Sequence, residues 1–88
     1  MNWTVVYTRQ AAKDAKRLAA SGYKAKAQAL LDILAANPYR SPPPFEKLVG
    51  DLAGANSRRI NVHHRIVYEI LKDEKMVKVL RMWTHYGE

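Results

Sequence analysis

The 88-residue chain predicts an α+β fold of order β-α-α-β-β-β, two N-terminal helices packed on an antiparallel four-stranded sheet. Three observations carry that expectation. Apolar residues recur at helical spacing over residues 9–36. Three runs rich in Ile, Val, Leu and Tyr follow over residues 57–83, and short polar turns join those runs. Strands joined by short turns pair antiparallel as a meander, and helices beside such a sheet cover one of its faces. A chain of this length builds one domain, 1–88, around a small core.

Each element has a local reason. Residues 3–7, Trp-Thr-Val-Val-Tyr, are β-branched and aromatic and read as a short strand. Thr8 caps a helix beginning at about Arg9. Ala11, Ala12, Ala15, Leu18 and Ala19 follow helical spacing until Ser21-Gly22 stops it. A second helix runs from about Lys24 to Ala36, with Ala27, Leu30, Leu31 and Leu34 on one face, and Asn37-Pro38 ends it. The two make an αα-hairpin. Ser41-Pro-Pro-Pro44 is an extended, stiff connector, because each ring fixes φ and disfavours helix in the residue before it. Phe45 to Asn56, with glycines at 50 and 54, reads as loop with a little strand. The three strands are then Ser57–Asn61, Arg65–Leu71 and Met76–Trp83, joined by turns at Asn61–His64 and Lys72–Lys75.

Charge narrows the partners. Fifteen Lys and Arg against eight Asp and Glu leave a net charge of +7, which favours an anionic partner such as nucleic acid or an acidic protein. The absence of cysteine excludes a disulfide framework and a thiolate metal site. Three histidines without a spaced carboxylate cluster point to no metal and no cofactor. With no apolar run of ~18 residues and no signal-peptide layout, a cytoplasmic protein without membrane contact is expected.

Strand alternation places Arg59, Arg65, Arg81 and His85 on one sheet face, with Ile66, Tyr68, Ile70, Leu80 and Met82 turned toward the helices. A basic face with Tyr and Trp suits an RNA strand, since guanidiniums fork onto phosphates and bases stack on rings. RNA carries its own nucleophile, the 2′-OH. Cleavage without metal needs a base for that hydroxyl, positive charge for the phosphorane and an acid for the 5′-oxygen. Glu46, the arginines and His85 are the right types. Plainer readings stand beside these: Glu46 as a surface carboxylate, Arg58 and Arg59 as a solvated strand edge, and His63 and His64 as solvent-facing turn residues.

Pro44-Phe45-Glu46-Lys47-Leu48, Asp51-Leu52-Ala53-Gly54, Ser57-Arg58-Arg59-Ile60, His64-Arg65-Ile66-Val67-Tyr68 and the terminal His85-Tyr86 resemble the YoeB/Txe toxins of bacterial type II toxin–antitoxin systems, in the RelE superfamily. The motifs cover the C-terminal half; length and element order match throughout. The resemblance implies a fold similar to microbial ribonucleases and a ribosome-dependent mRNA endonuclease acting in the A site. By motif position, Glu46 would be the general base, Arg65 the phosphate stabiliser and His85 the general acid. Arg59, with Arg58 and Arg81, would bind substrate, and Tyr86 would orient it or support His85. An acidic antitoxin is implied as partner, with homodimerisation as a further family trait. Two other functions stay open: a non-catalytic toxin, like the gyrase-poisoning relatives on this fold, and a basic nucleic-acid-binding module.

Overall fold

The structure is a computed structural model that describes residues 3–40, 45–47, 54–61 and 64–82. Its elements are β1 (Thr4–Tyr7), α1 (Arg9–Ala20), α2 (Lys24–Ala36), β2 (Glu46–Lys47), β3 (Ala55–Arg59), β4 (Arg65–Leu71) and β5 (Met76–Arg81). The α+β class and the helix bounds agree with the sequence reading. The sheet differs: it has five strands in the order β1-β5-β4-β3-β2, and it is mixed.

Two physical reasons account for the difference. The expected meander covers only strands joined by short turns, and β3, β4 and β5 do pair antiparallel. β1 is separated from β5 by most of the chain, so no tight turn dictates its direction, and it pairs parallel with Thr4 opposite Met76 and Tyr7 opposite Val79. The extra strand is the dipeptide Glu46–Lys47, which follows the prolines and pairs antiparallel with Ser57 and Asn56 at the other edge.

Local chemistry closes the helices as the residues predict. The Thr8 hydroxyl accepts from the amide of Ala11 at 3.0 Å, capping α1. At the other end Gly22 adopts φ +85°, and the amides of Tyr23 and Gly22 bond back to the carbonyls of Leu18 and Ala19. That is a Schellman ending, for which glycine is the least strained residue. In the β4–β5 turn the Lys75 amide donates to the Lys72 carbonyl at 3.1 Å, and Lys75 itself takes φ 52°.

The core lies between the helices and one face of the sheet. Ala11, Leu18, Ala27, Leu30, Leu31 and Leu34 meet Ile60, Ile66, Tyr68, Val77, Val79 and Met82. Ile70 packs against this cluster from its margin. Leu80, expected inside, is instead the extra residue of a β-bulge: Tyr68 faces Val79 while Val67 faces Arg81, leaving Leu80 without an opposite. His64 is also corrected. It is buried beside the Tyr23 ring, with centroids 5.9 Å apart, and its amide donates to Asn61 Oδ1 at 2.8 Å.

An arginine belongs to the interior. Arg58 is 1% exposed, the largest of the fully buried side chains among the described residues. Its Nε donates to the Tyr68 hydroxyl at 2.9 Å, and its Nη2 donates to the carbonyls of Pro38 at 3.0 Å and Arg40 at 2.6 Å. The guanidinium also lies over the Phe45 ring, 4.8 Å from its centroid. Burial pushes the Tyr68 phenol upward, and the neighbouring Arg58 only partly offsets that, so the phenol stays protonated and bonded. Replacing Arg58 with Met leaves two carbonyls and a phenol without this donor. Urea unfolding should show a loss of about 3 kcal/mol, and Arg58→Lys should recover only part of it, since one ammonium cannot fork as a guanidinium does.

Candidate active site

The site grows out of strand alternation in Ser57-Arg58-Arg59. With Arg58 turned into the core, Ser57 and Arg59 face the opposite side of the sheet. Arg59 is opposite Arg65 on β4, and Ser57 is opposite Glu46 on β2. The four side chains therefore converge from three strands and line one open cleft of about 240 Å³.

Within it, Arg65 Nη1 donates to Glu46 Oε1 at 2.7 Å and to the Ser57 hydroxyl oxygen at 3.3 Å. The ion pair is unequal in exposure, with the Arg65 side chain at 21% and Glu46 at 67%. The Arg65 hydrogen bond and charge hold the Glu46 carboxyl below the usual carboxylate range, slight burial opposes them, and the Arg59 charge adds to the lowering. Glu46 is thus ionised at neutral pH and able to accept a proton. Arg59 is exposed, so its charge is presented to whatever enters.

The expected site residues separate into three groups. Glu46, Arg59 and Arg65 come together. Arg58 and Arg81 do not join them: Arg81 is a correction to the expected basic face, and Arg58 to its expected part in binding substrate. Arg58 is in the core, bonded to Tyr68, Pro38 and Arg40. Arg81 donates through Nε to Asp14 Oδ2 of α1 at 2.8 Å and is not among the residues lining the cleft. His85 and Tyr86 lie outside the described residues. Sequence reasoning missed Ser57 in the cleft and Asp14 as the partner that takes Arg81 away from it. Ser57 shares the parity of Arg59, which was the available signal. Asp14 sits three residues after Ala11 and four before Leu18, on the stripe that the helix buries.

A family model described as the ParE toxin of the type II toxin–antitoxin system parDE matches residues 5–86. The chain belongs to this toxin family. No curated protein matches it at the sequence level. Among solved structures, a YoeB/ParE toxin from Agrobacterium tumefaciens is similar at 27% identity and TM-score 0.84, covering 94% of this chain and 99% of that one. YoeB from Staphylococcus aureus, solved in complex with YefM, is similar at 29% identity and TM-score 0.78, covering 98% of this chain and 100% of that one. YafQ from E. coli shares the fold, with TM-score 0.79 at 20% identity, covering 93% of this chain and 92% of that one. The resemblance to YoeB-type toxins seen in the motifs is therefore borne out, and the chain is a type II toxin.

Removing the cation tests the electrostatics of the cleft. In Arg65→Gln the Glu46 carboxylate loses its donor and its nearest positive charge, so its titration, followed by carboxyl carbon NMR, should move upward. Arg59→Gln should move it less, in the same direction.

Proposed function

We propose that this toxin is a ribosome-dependent, metal-independent mRNA endoribonuclease that inhibits translation. The observation carrying the reading is the convergence of Glu46, Arg65, Arg59 and Ser57 in one open cleft, a carboxylate held ionised beside two guanidiniums. The arginines suit phosphate binding, and the ionised carboxylate among them adds a group able to take a proton.

The chemistry follows from the groups. Glu46 takes the proton of a ribose 2′-OH as that oxygen attacks the adjacent phosphorus. Arg65, held by Ser57, and Arg59 stabilise the charge that develops on the phosphorane oxygens. The phosphorus–O5′ bond then breaks, and His85 gives its proton to the departing 5′-oxygen. The products are a 2′,3′-cyclic phosphate and a 5′-hydroxyl. As the phosphate draws the Arg65 charge away from Glu46, the carboxylate becomes a stronger base at the moment it is needed. Tyr86, adjoining His85 in sequence, orients the substrate or supports the imidazole.

The partners in this reading are mRNA in the ribosomal A site, an acidic cognate antitoxin and a second copy of the chain, all in the cytoplasm. YefM in the staphylococcal complex and the staphylococcal YoeB dimer are the precedents for the two protein partners. The net charge of +7 suits both an acidic antitoxin and RNA. A toxin that acts without cutting RNA is the second reading, and the parDE family match is the observation on its side.

Primer extension on mRNA from cells expressing each variant separates the two. Wild type should cut mRNA, while Glu46→Ala, Arg65→Ala and His85→Ala should each reduce cutting by ~10²-fold or more. Growth arrest with uncut mRNA would sink the nuclease reading. Ribosome binding should also weaken steeply as salt rises from about 50 to 200 mM, through counterion release. A flat salt response would count against a phosphate-contacting surface.

A further inference from the structure

We propose that the cavity behind β2 is a subsite for one unpaired base of an RNA strand, read by the Asn56 carboxamide. The subsite deepens the nuclease reading above and rests on it for the identity of the strand. Its starting observation is a buried polar side chain without a partner. Asn56 is 8% exposed and lines a cavity of about 590 Å³, and among the described residues its carboxamide makes no hydrogen bond. Buried amides are as a rule bonded, because an unpaired one has given up its hydration for nothing. Arg58, two residues on and on the same face of β3, is bonded to Tyr68, Pro38 and Arg40. A valine or leucine at residue 56 would pack this face without stranding an amide.

Strand parity locates the cavity. Asn56 is opposite Tyr68, whose side chain is in the core, so it faces away from the cleft that Ser57 and Arg59 line. On β2, Glu46 is opposite Ser57 and Lys47 is opposite Asn56. Cleft and cavity are therefore the two sides of one edge strand, with Glu46 lining the first and Lys47 the second. An RNA strand leaving the cleft past Glu46 has only the width of β2 to cross before it meets Lys47.

The lining matches the chemistry of a base. Tyr39 and Phe45 bring aromatic rings to the cavity, and Ile70 adds an apolar wall. Tyr39 is half exposed, and Trp3 meets its ring edge-on with centroids 5.9 Å apart. Unpaired bases stack on such rings. The carboxamide sets a donor beside an acceptor, the pattern that pairs with the adjacent N6 amino group and N7 of adenine. Lys47 is exposed and makes no ion pair among the described residues, so its charge is open to a phosphate. The volume lies within the range of about 300–1,000 Å³ that small-ligand sites occupy. An apolar peptide side chain would fill the same space yet leave the carboxamide unpaired, and that favours a base.

The test is NMR of the full chain titrated with a 2′-O-methyl oligoadenylate, which lacks the 2′-OH nucleophile and stays intact. The Asn56 side-chain amide signals and the Tyr39 ring signals should shift saturably. A matching oligomer without bases should leave both in place. N56A removes an amide that has no bond to lose, and should weaken oligoadenylate binding by about tenfold; Y39A should do so by a similar factor. Neither should alter binding of the oligomer without bases. Asn56 signals unmoved by millimolar oligoadenylate, equal shifts from the oligomer without bases, or full affinity in the folded variants overturns the proposal. Shifts at Asn56 produced by an acidic peptide bearing leucine or phenylalanine, and not by the oligoadenylate, overturn it as well. If N56A does not fold, Y39A and the wild-type signals decide by the same criteria. These readouts need binding and not cleavage, so a wild type that leaves mRNA uncut on the ribosome fails the nuclease reading separately.

Discussion

The buried guanidinium of Arg58 is the constraint on which the cleft depends. It is bonded at once to the sheet, through Tyr68, and to the segment leaving α2, through the carbonyls of Pro38 and Arg40. Phe45 lies against its face, one residue before Glu46. A two-residue strand such as β2 gains little from its own ladder bonds. Anchoring the chain on both sides of the prolines to one cation brings Glu46 to the edge of β3 at a defined height. Because Arg58 points inward, Ser57 and Arg59 must point outward, and that parity gives the cleft two of its four walls.

Asp14 plays the corresponding part at the other margin. Among the described residues, Arg58 and Asp14 are thus buried charges of opposite sign, each engaging backbone groups beyond the reach of the regular ladder. Arg58 receives the chain as it enters β2, and Asp14 holds it as it leaves β5. Neither is an economical source of stability, since an apolar residue packs an interior without desolvating a charge. Both supply directed hydrogen bonds where the sheet by itself would leave chain ends loose. The open cleft lies on the face that the helices leave uncovered, so rigidity is needed at its edges more than beneath it.

Much of the architecture was legible from residues close together in the chain. Helix spacing, the Thr8 cap and the Ser21-Gly22 stop describe α1, and β4 begins and ends where its Ile, Val and Tyr run does. The chemical types of Glu46, Arg59 and Arg65 were also readable, as groups suited to one reaction and as motifs resembling YoeB toxins, but their meeting was not. Other features were not. The two adjacent arginines look equivalent in sequence, yet one is core and the other faces the cleft. Leu80 fits the alternation of a regular strand, and only the shift between Val67 and Tyr68 shows the bulge. Asp14 breaks an apolar stripe without announcing a partner.

What the sequence by itself determined is therefore the set of elements, their order and the chemical character of the site, because periodicity, capping and residue type act over a few positions. The tertiary structure alone decided which charges are interior, that β1 joins β5 in parallel, and that Arg81 belongs to Asp14 instead of the cleft. Those outcomes rest on pairings such as Arg65 with Glu46, 19 residues apart, and Arg81 with Asp14, 67 apart. No local pattern encodes them, since each partner is chosen by what burial leaves within hydrogen-bond reach once the core has closed.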